Sequence, residues 1–374
     1  MRVAQLCWTN RRVAGAEAHA ERSAHGLLAQ GHEVAWFHEG QQPNTRPVVD
    51  CPHQIEADLG ALAAWQPDVL LNHGLLDPRV EAAALDLAPA VLVTHSYYGT
   101  CISGSKTYRW PRTSPCTRTL GWGCVLRYYP RHTGGWSPSA LQREWRRQRA
   151  RQSLLPRYRA VVGNSRHMLD EYARHGVPTE RLFEVPFPMA SAAVAEPPPR
   201  DVPHRLLWVG RCDPLKGGAV LLDALQALPA TVHLTMVGDG PARTHWERRA
   251  AAIGPRVRFT GWVDDVTPFY RDADLVVIPS LWPEPFGQVG LEAARFGLPA
   301  VGFPVGGIPA WLKHEVNGML AARPNDADAL ARAIRDALEP ARYPTLARGA
   351  LAALATHTIP AYVRALERVM EAVR

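Results

Sequence analysis

The feature that most constrains this chain is one pattern used twice. Short apolar runs end in polar turns and lead into segments with helical spacing, first from Val3 to Val185 and again from Arg205 onward. Such strand–turn–helix alternation builds a mostly parallel sheet covered by helices. In the first half, Val3 to Trp8, HEVAWFH, PDVLLNHG, AVLVTHS and AVVGNS read as strands. Between the first two, AEAHAERSAHGLLAQ carries apolar residues at helical spacing, and Gly31 supplies its stop. In the second half, RLLWVGR, TVHLTMVGDG, VRFTGWV and LVVIPS read as strands. Between the halves, PFPMASAAVAEPPPRDVPH has no periodicity and reads as a linker.

The expected architecture is therefore α/β: two Rossmann-like, doubly wound domains that meet across a cleft. Residues 1–190 form the first domain, 191–204 the proline-rich linker and 205–355 the second domain. IPAYVRALERVMEAVR makes residues 356–374 a closing amphipathic helix, expected to cross back to the first domain. Residues from about 99 to 139 break the pattern: they hold glycines, prolines, aromatics and arginines without strand or helix spacing. A loop this long inside a compact domain is usually functional or flexible.

Hydrophobic residues make up 47% of the 374 and charged residues 21%, a globular composition and not a disordered one. No apolar run approaches the roughly 20 residues that span a bilayer. The opening MRVAQLCW reads as a strand and not as a signal peptide. A cytoplasmic protein is expected, peripheral at most to the inner face of a membrane. The net charge of +7 is concentrated: Cys101 to Leu182 hold sixteen Arg or Lys against four Asp or Glu. That bias favours an anionic partner.

The richest chemistry lies in WPEPFGQVGLEAARFGLP. Strand LVVIPS delivers Glu284 to its carboxyl end, where ligands of such sheets bind. Pro285, Phe286 and Gly287 shape a turn, and GQVGLEAARFG reads as a helix whose first N–H groups lack intrahelical partners. Glu292 follows about two turns later, and two carboxylates suit a polyhydroxylated ligand. Each glutamate taken singly reads as a solvated surface residue. Arg211 and Lys216 both follow strand RLLWVGR, where two cations suit a diphosphate. VGDGP lacks the full glycine spacing of a phosphate loop and reads as a tight turn. Two strands end in histidine, His73 and His95. Glu17 sits where the first helix opens and favours its positive end. Asp272 and Asp274 precede a strand and read as structural.

These residues carry a family resemblance. Glu284 to Glu292 resembles the Glu-x7-Glu motif of retaining GT-B glycosyltransferases of family 4, and VGRCDPLKGG resembles that family's phosphate-binding element. VHLTMVGDGP, VRFTGWV, DLVVIPS and GIPAWLKHEVNG fall in the family's order. The resemblance implies a GT-B fold and a nucleoside-diphosphate sugar donor held by Gly15, Ala16, Arg211, Lys216, Glu284, Pro285, Phe286, Gly287, Gln288 and Glu292. Ala16 stands where the family has a second glycine. Trp262 and Val263 fall in the base region. His95, Glu284, Arg211 and Lys216 are the implied catalytic set, with Glu284 on the donor sugar and Glu292 on the ribose. Glu17, His73, Tyr97 and Tyr98 are the candidates on the acceptor side.

The implied reaction is sugar transfer with retention to a hydroxyl acceptor, without a protein nucleophile or a required metal. The acceptor would be a glycan, a lipid-linked molecule or a small glycoside, as in polysaccharide or glycoconjugate biosynthesis. The alternatives are a nucleotide-sugar-binding protein without transfer activity and a GT-B disaccharide synthase. Cys101, Cys116 and Cys124 match no standard zinc spacing, yet a structural zinc held by these three is one reading of the irregular segment. The arginines of 143–159 suggest peripheral membrane contact or an acceptor-side role. No nucleic-acid partner is expected, because a basic segment leaves the glutamate pair unexplained.

Overall fold

A computed structural model of the chain describes residues 1–11, 15–40, 48–189 and 204–374. The chain divides into two compact units, one of residues 1–112, 116–190 and 357–374, the other of 113–115 and 191–356. Of the linker expected at 191–204, residues 191–203 lie outside the described residues.

The first unit holds a seven-stranded sheet, β1 (Arg2–Cys7), β2 (Glu33–His38), β3 (His53–Glu56), β4 (Val69–Gly74), β5 (Ala90–Val93), β6 (Ala160–Gly163) and β7 (Leu182–Glu184). Its strand order is β3-β2-β1-β4-β5-β6-β7, with neighbours parallel. Side chains two apart share a face of a strand. Thus Val34 and Trp36, Val69 and Leu71, Val91 and Val93, and Ala160 and Val162 all enter one buried cluster. The second unit holds β8 (Arg205–Val209), β9 (His233–Val237), β10 (Val257–Gly261), β11 (Leu275–Ile278), β12 (Ala300–Gly302) and β13 (Gly318–Leu320). Its order, β10-β9-β8-β11-β12-β13, is again parallel throughout. Both sheets reverse winding direction beside their first strand, between β1 and β4 and between β8 and β11. Such switch points open the crevices where doubly wound sheets take ligands.

The closing helix, Ile359–Val373, belongs to the first unit. Tyr362, Val363, Leu366, Val369 and Met370 join the cluster beneath the first sheet. The helix lies against the opening helix, Gly15–Ala29, at Gly26, where a Cβ would fall 2.5 Å from Val363 Cγ2 and 2.8 Å from Ile359 Cγ2. Polar ties fix the pair: Tyr362 donates to Ser23 Oγ at 3.3 Å, and His32 Nε2 lies 2.9 Å from Glu367 Oε1. In the second unit, Asp274 accepts the backbone N–H groups of His204 and Arg205 and so anchors the start of β8.

Because nothing larger than a hydrogen fits at Gly26, Gly26→Val is expected to destabilise the first unit by about 1–3 kcal/mol through overpacking. The check is the denaturation midpoint of the full chain, and an unchanged midpoint contradicts the close helix approach.

Candidate functional site

The site of the second unit is built by backbone before side chains. After β8 the chain makes a short 3-10 turn, Pro214–Lys216, capped by Asp213, whose Oδ1 accepts from Leu215 N–H at 2.9 Å. Gly217 follows with φ +72°, and a Cβ there would sit 1.8 Å from the carbonyl oxygen of Pro279. Only glycine allows the loop after β8 to lie this close to the end of β11. Leu281 N–H then donates to Leu215 O at 2.8 Å. The two loops that flank the switch point are thus stitched together, and their side chains meet.

What meets is Lys216 and Glu284. The ammonium donates to Glu284 Oε1 at 2.7 Å, and Ser280 Oγ donates to the same oxygen at 2.6 Å. Glu284 is buried, whereas Lys216 keeps 31% of its side chain accessible. A loop of glycines holds the glutamate backbone: Gly307 N–H donates to Glu284 O at 2.6 Å, and a Cβ on Gly306 would lie 2.3 Å from that oxygen. The Lys216 ammonium also lies 5.1 Å from the centre of the Trp282 ring. An ammonium has three donors, so Lys216 can hold Glu284 and still offer protons to an anion. Arg211 stands exposed two residues past β8.

The helix expected from Gly287 to Gly297 is shorter, Val289–Ala294. Gly287 takes φ +84°, which keeps it out of the helix. Gly290 is needed because a Cβ would fall 1.9 Å from the Trp311 ring, whose indole N–H donates to Phe286 O at 2.7 Å. Phe286 is buried and serves this turn; Pro285 and Gln288 complete it. Glu292, half-buried, accepts from Tyr270 O–H at 3.0 Å. Trp262 and Val263 follow β10, and Trp262 is 62% exposed. Because β8, β10 and β11 run parallel, Arg211, Lys216, Trp262 and Glu284 all lie past the carboxyl ends of strands, along one edge of the sheet.

In the first unit the histidines form a line of hydrogen bonds. Gln5, mid-strand in β1, donates through Nε2 to Ser23 Oγ at 3.2 Å, which turns its carbonyl oxygen toward His73. His73 Nε2 lies 2.5 Å from that oxygen, and His73 Nδ1 lies 2.8 Å from His95 Nε2. A carbonyl only accepts, so the proton of His73 sits on Nε2. Its Nδ1 must then accept from His95 Nε2–H, which leaves His95 Nδ1 as a bare acceptor. Burial pushes His95 down to about 4, and burial with the neighbouring His95 holds His73 well below the ordinary value. His19, on the opening helix, packs edge-on against His95 at 4.8 Å, and neither of its buried ring nitrogens has a hydrogen bond.

Gly15 and Ala16 open the first helix. Glu17 is buried and accepts from Trp8 Nε1 at 2.6 Å. Tyr97 and Tyr98 do not present free hydroxyls. Tyr97 O–H lies 2.7 Å from His167 Nε2; Tyr98 O–H meets Glu81 Oε2 at 2.5 Å and Leu75 O at 3.1 Å. The zinc reading of Cys101, Cys116 and Cys124 is not supported. The three thiols are free and line one cavity, but Lys106, Arg118 and Arg127 line it too, and cations in the wall repel a metal ion. Among the described residues no group of three or more His, Cys, Asp or Glu is placed to hold a metal.

The sequence reading passed over Gln5, Ser280 and Tyr270. Gln5 carried a signal, a lone amide inside the apolar run RVAQLC, and so did Ser280 at the end of LVVIPS. Tyr270 carried none, since its partner is 22 residues away.

Residues 203–340 match the family model described as glycosyl transferases group 1. A D-inositol 3-phosphate glycosyltransferase of Salinispora tropica is 39% identical over 202 residues, which cover 48% of this chain and 41% of the relative. The chain thus spans about two fifths of that relative's length. A glycogen synthase of Mycobacterium tuberculosis is 28% identical over 378 residues, covering 91% of this chain and 86% of the relative. Among solved structures, Anabaena HepE in complex with UDP superposes with a TM-score of 0.71 at 18% identity, covering 100% of both chains. Sucrose-phosphate synthase of Thermosynechococcus elongatus gives 0.70 at 23% identity, covering 99% of this chain and 98% of the other. With its two parallel-sheet Rossmann-like units, the chain has the GT-B fold of these proteins and carries a glycosyl transferases group 1 domain at residues 203–340.

Proposed function

We propose that this chain is a glycosyltransferase that moves a sugar from a nucleoside diphosphate sugar to a hydroxyl acceptor, with retention of anomeric configuration. The observation that carries the reading is the Lys216–Glu284 pair, seated at the switch point of a sheet inside the matched domain. A cation beside a carboxylate suits a ligand that is phosphate at one end and polyhydroxylated at the other. HepE was solved with UDP and with UDP-glucose, so uridine diphosphate donors are the first to test.

In this reading Arg211 and Lys216 hold the diphosphate, Glu284 accepts from hydroxyls of the donor sugar, and Glu292 accepts from the ribose. Gly287 and Gln288 place backbone N–H groups beside the ligand, and Trp262 and Val263 flank the base. The bond from the anomeric carbon to the diphosphate oxygen breaks as the acceptor oxygen bonds that carbon on the same face. The acceptor proton passes to the departing phosphate oxygen. Charge therefore builds on the diphosphate, where the two cations stabilise it. Neither a protein nucleophile nor a bound metal enters the step. His95, held neutral, serves the substrate as an acceptor through Nδ1 and not as an acid.

Three measurements test this. In thermal-shift experiments UDP and its sugar conjugates are expected to raise the melting temperature, by an amount worth about 2.7 kcal/mol at a hundredfold excess over Kd. Lys216→Ala and Glu292→Ala are expected to lose most of that gain, and a wild type that no nucleotide stabilises removes the donor site. Lys216→Ala is also expected to lower kcat by roughly 10²–10³-fold, the usual loss when one donor to a developing anion is removed, while EDTA leaves transfer intact. Activity abolished by EDTA and restored by Mg or Mn contradicts the metal-free step. The pH profile gives the third. With His95 titrating near 4, below its unfolded value, its working neutral form persists as pH falls through 6.5. An acidic limb near 6.5 that His95→Asn abolishes is the contrary result.

A further inference from the structure

The irregular segment of the first unit is unlike the rest of the surface. Between Cys101 and Trp136 stand five arginines, Arg109, Arg112, Arg118, Arg127 and Arg131, and no Asp, Glu, Asn or Gln; the one lysine, Lys106, is buried and paired with Glu171. Among the described residues eight large hydrophobic side chains are exposed, and four of them fall here: Trp110 at 57%, Trp122 at 73%, Leu126 at 74% and Trp136 at 68%.

These four are arranged, not scattered. Trp122 and Leu126 lie one turn apart on the short helix Trp122–Tyr128 and so share a face. Past its end, Tyr129 stacks on Trp136 with centroids 5.9 Å apart and planes 15° from parallel. His132 lies between Trp136, at 5.0 Å, and Trp110, at 5.9 Å. Tyr129, Trp136, His132 and Trp110 thus form one row, while the Trp122 ring lies 5.2 Å from that of Trp145. Beneath them Ile102, Leu120, Tyr128 and Leu141 make a small buried core of their own.

We propose that this face docks the protein on an anionic lipid surface, with Trp110, Trp122, Leu126 and Trp136 entering the interface and the arginines meeting lipid phosphates. Tryptophan suits the headgroup boundary because its ring is apolar and its N–H is polar. Interspersed cations draw such a face to anionic lipid. Two other occupants fit less well. A sugar chain is gripped by carboxylates and amides that take its hydroxyls, and this segment has none. A nucleic acid uses arginines and rings, but gains nothing from an outward leucine.

The contact falls on 110–136 and not on the basic helix Pro138–Leu154, several of whose cations are engaged within the unit. Arg147 Nε donates to Leu76 O at 2.8 Å, and Arg151, buried, lies over the Tyr98 ring at 3.9 Å.

The test is co-sedimentation of the full chain with vesicles of phosphatidylcholine alone or with about 30% phosphatidylglycerol, a composition that sets the surface charge. Binding is expected only with phosphatidylglycerol, and brominated lipid is expected to quench tryptophan fluorescence. Replacing Trp110, Trp122, Leu126 and Trp136 by Ser is expected to weaken binding about tenfold or more, with circular dichroism and nucleotide stabilisation unchanged. Should the fourfold variant not fold, Arg109→Glu with Arg112→Glu is expected to abolish binding on its own. No binding to anionic vesicles, or binding that both variants retain, overturns the proposal. So does single-stranded RNA that binds as tightly as the vesicles and loses affinity equally in the variants. Nucleotide stabilisation is read separately, so failure here leaves the donor site standing, and the converse holds.

Discussion

Everything proposed for the second unit depends on one ion pair across a switch point. Lys216 follows β8 and Glu284 follows β11, strands that lie side by side although 65 residues of chain separate the end of one from the start of the other. The bond between them is possible because Gly217 and Gly306 let backbones approach where any side chain would collide. A buried carboxylate is costly unless its charge is met; the ammonium and Ser280 meet it on one oxygen. The same pairing keeps the lysine in place and partly open to solvent. Substrate chemistry and local folding thus draw on the same few atoms.

The first unit follows a comparable logic with neutral groups. Gln5 on β1 and His73 on β4 flank its own switch point, and their hydrogen bond extends to His95 past β5. The line begins in the closing helix, since Tyr362 donates to the same Ser23 that takes the Gln5 amide proton. A helix far along the sequence is thus joined through Ser23 and Gln5 to the paired histidines.

The fold class was legible because it rests on local periodicity. Unbroken apolar runs, as in PDVLLNHG or LVVIPS, with turns at the carboxyl ends, encode parallel strands wherever the partners lie. Glu284 and Glu292 stood out because their motif is contiguous. What was hidden depends on distant pairing. GQVGLEAARFG has helical composition throughout, yet Gly287 leaves the helix and Gly290 exists to admit Trp311, a residue 21 positions on. Tyr97 and Tyr98 looked available for an acceptor, but His167 and Glu81 take their hydroxyls. The three cysteines suggested a metal until arginines and a lysine were found in the same wall.

The most direct measurement is a crystal structure with a uridine diphosphate sugar bound. The account predicts diphosphate oxygens within hydrogen-bond reach of Lys216 and Arg211, and a sugar hydroxyl on Glu284. A donor held elsewhere, with Lys216 and Glu284 still engaged only with each other, contradicts it.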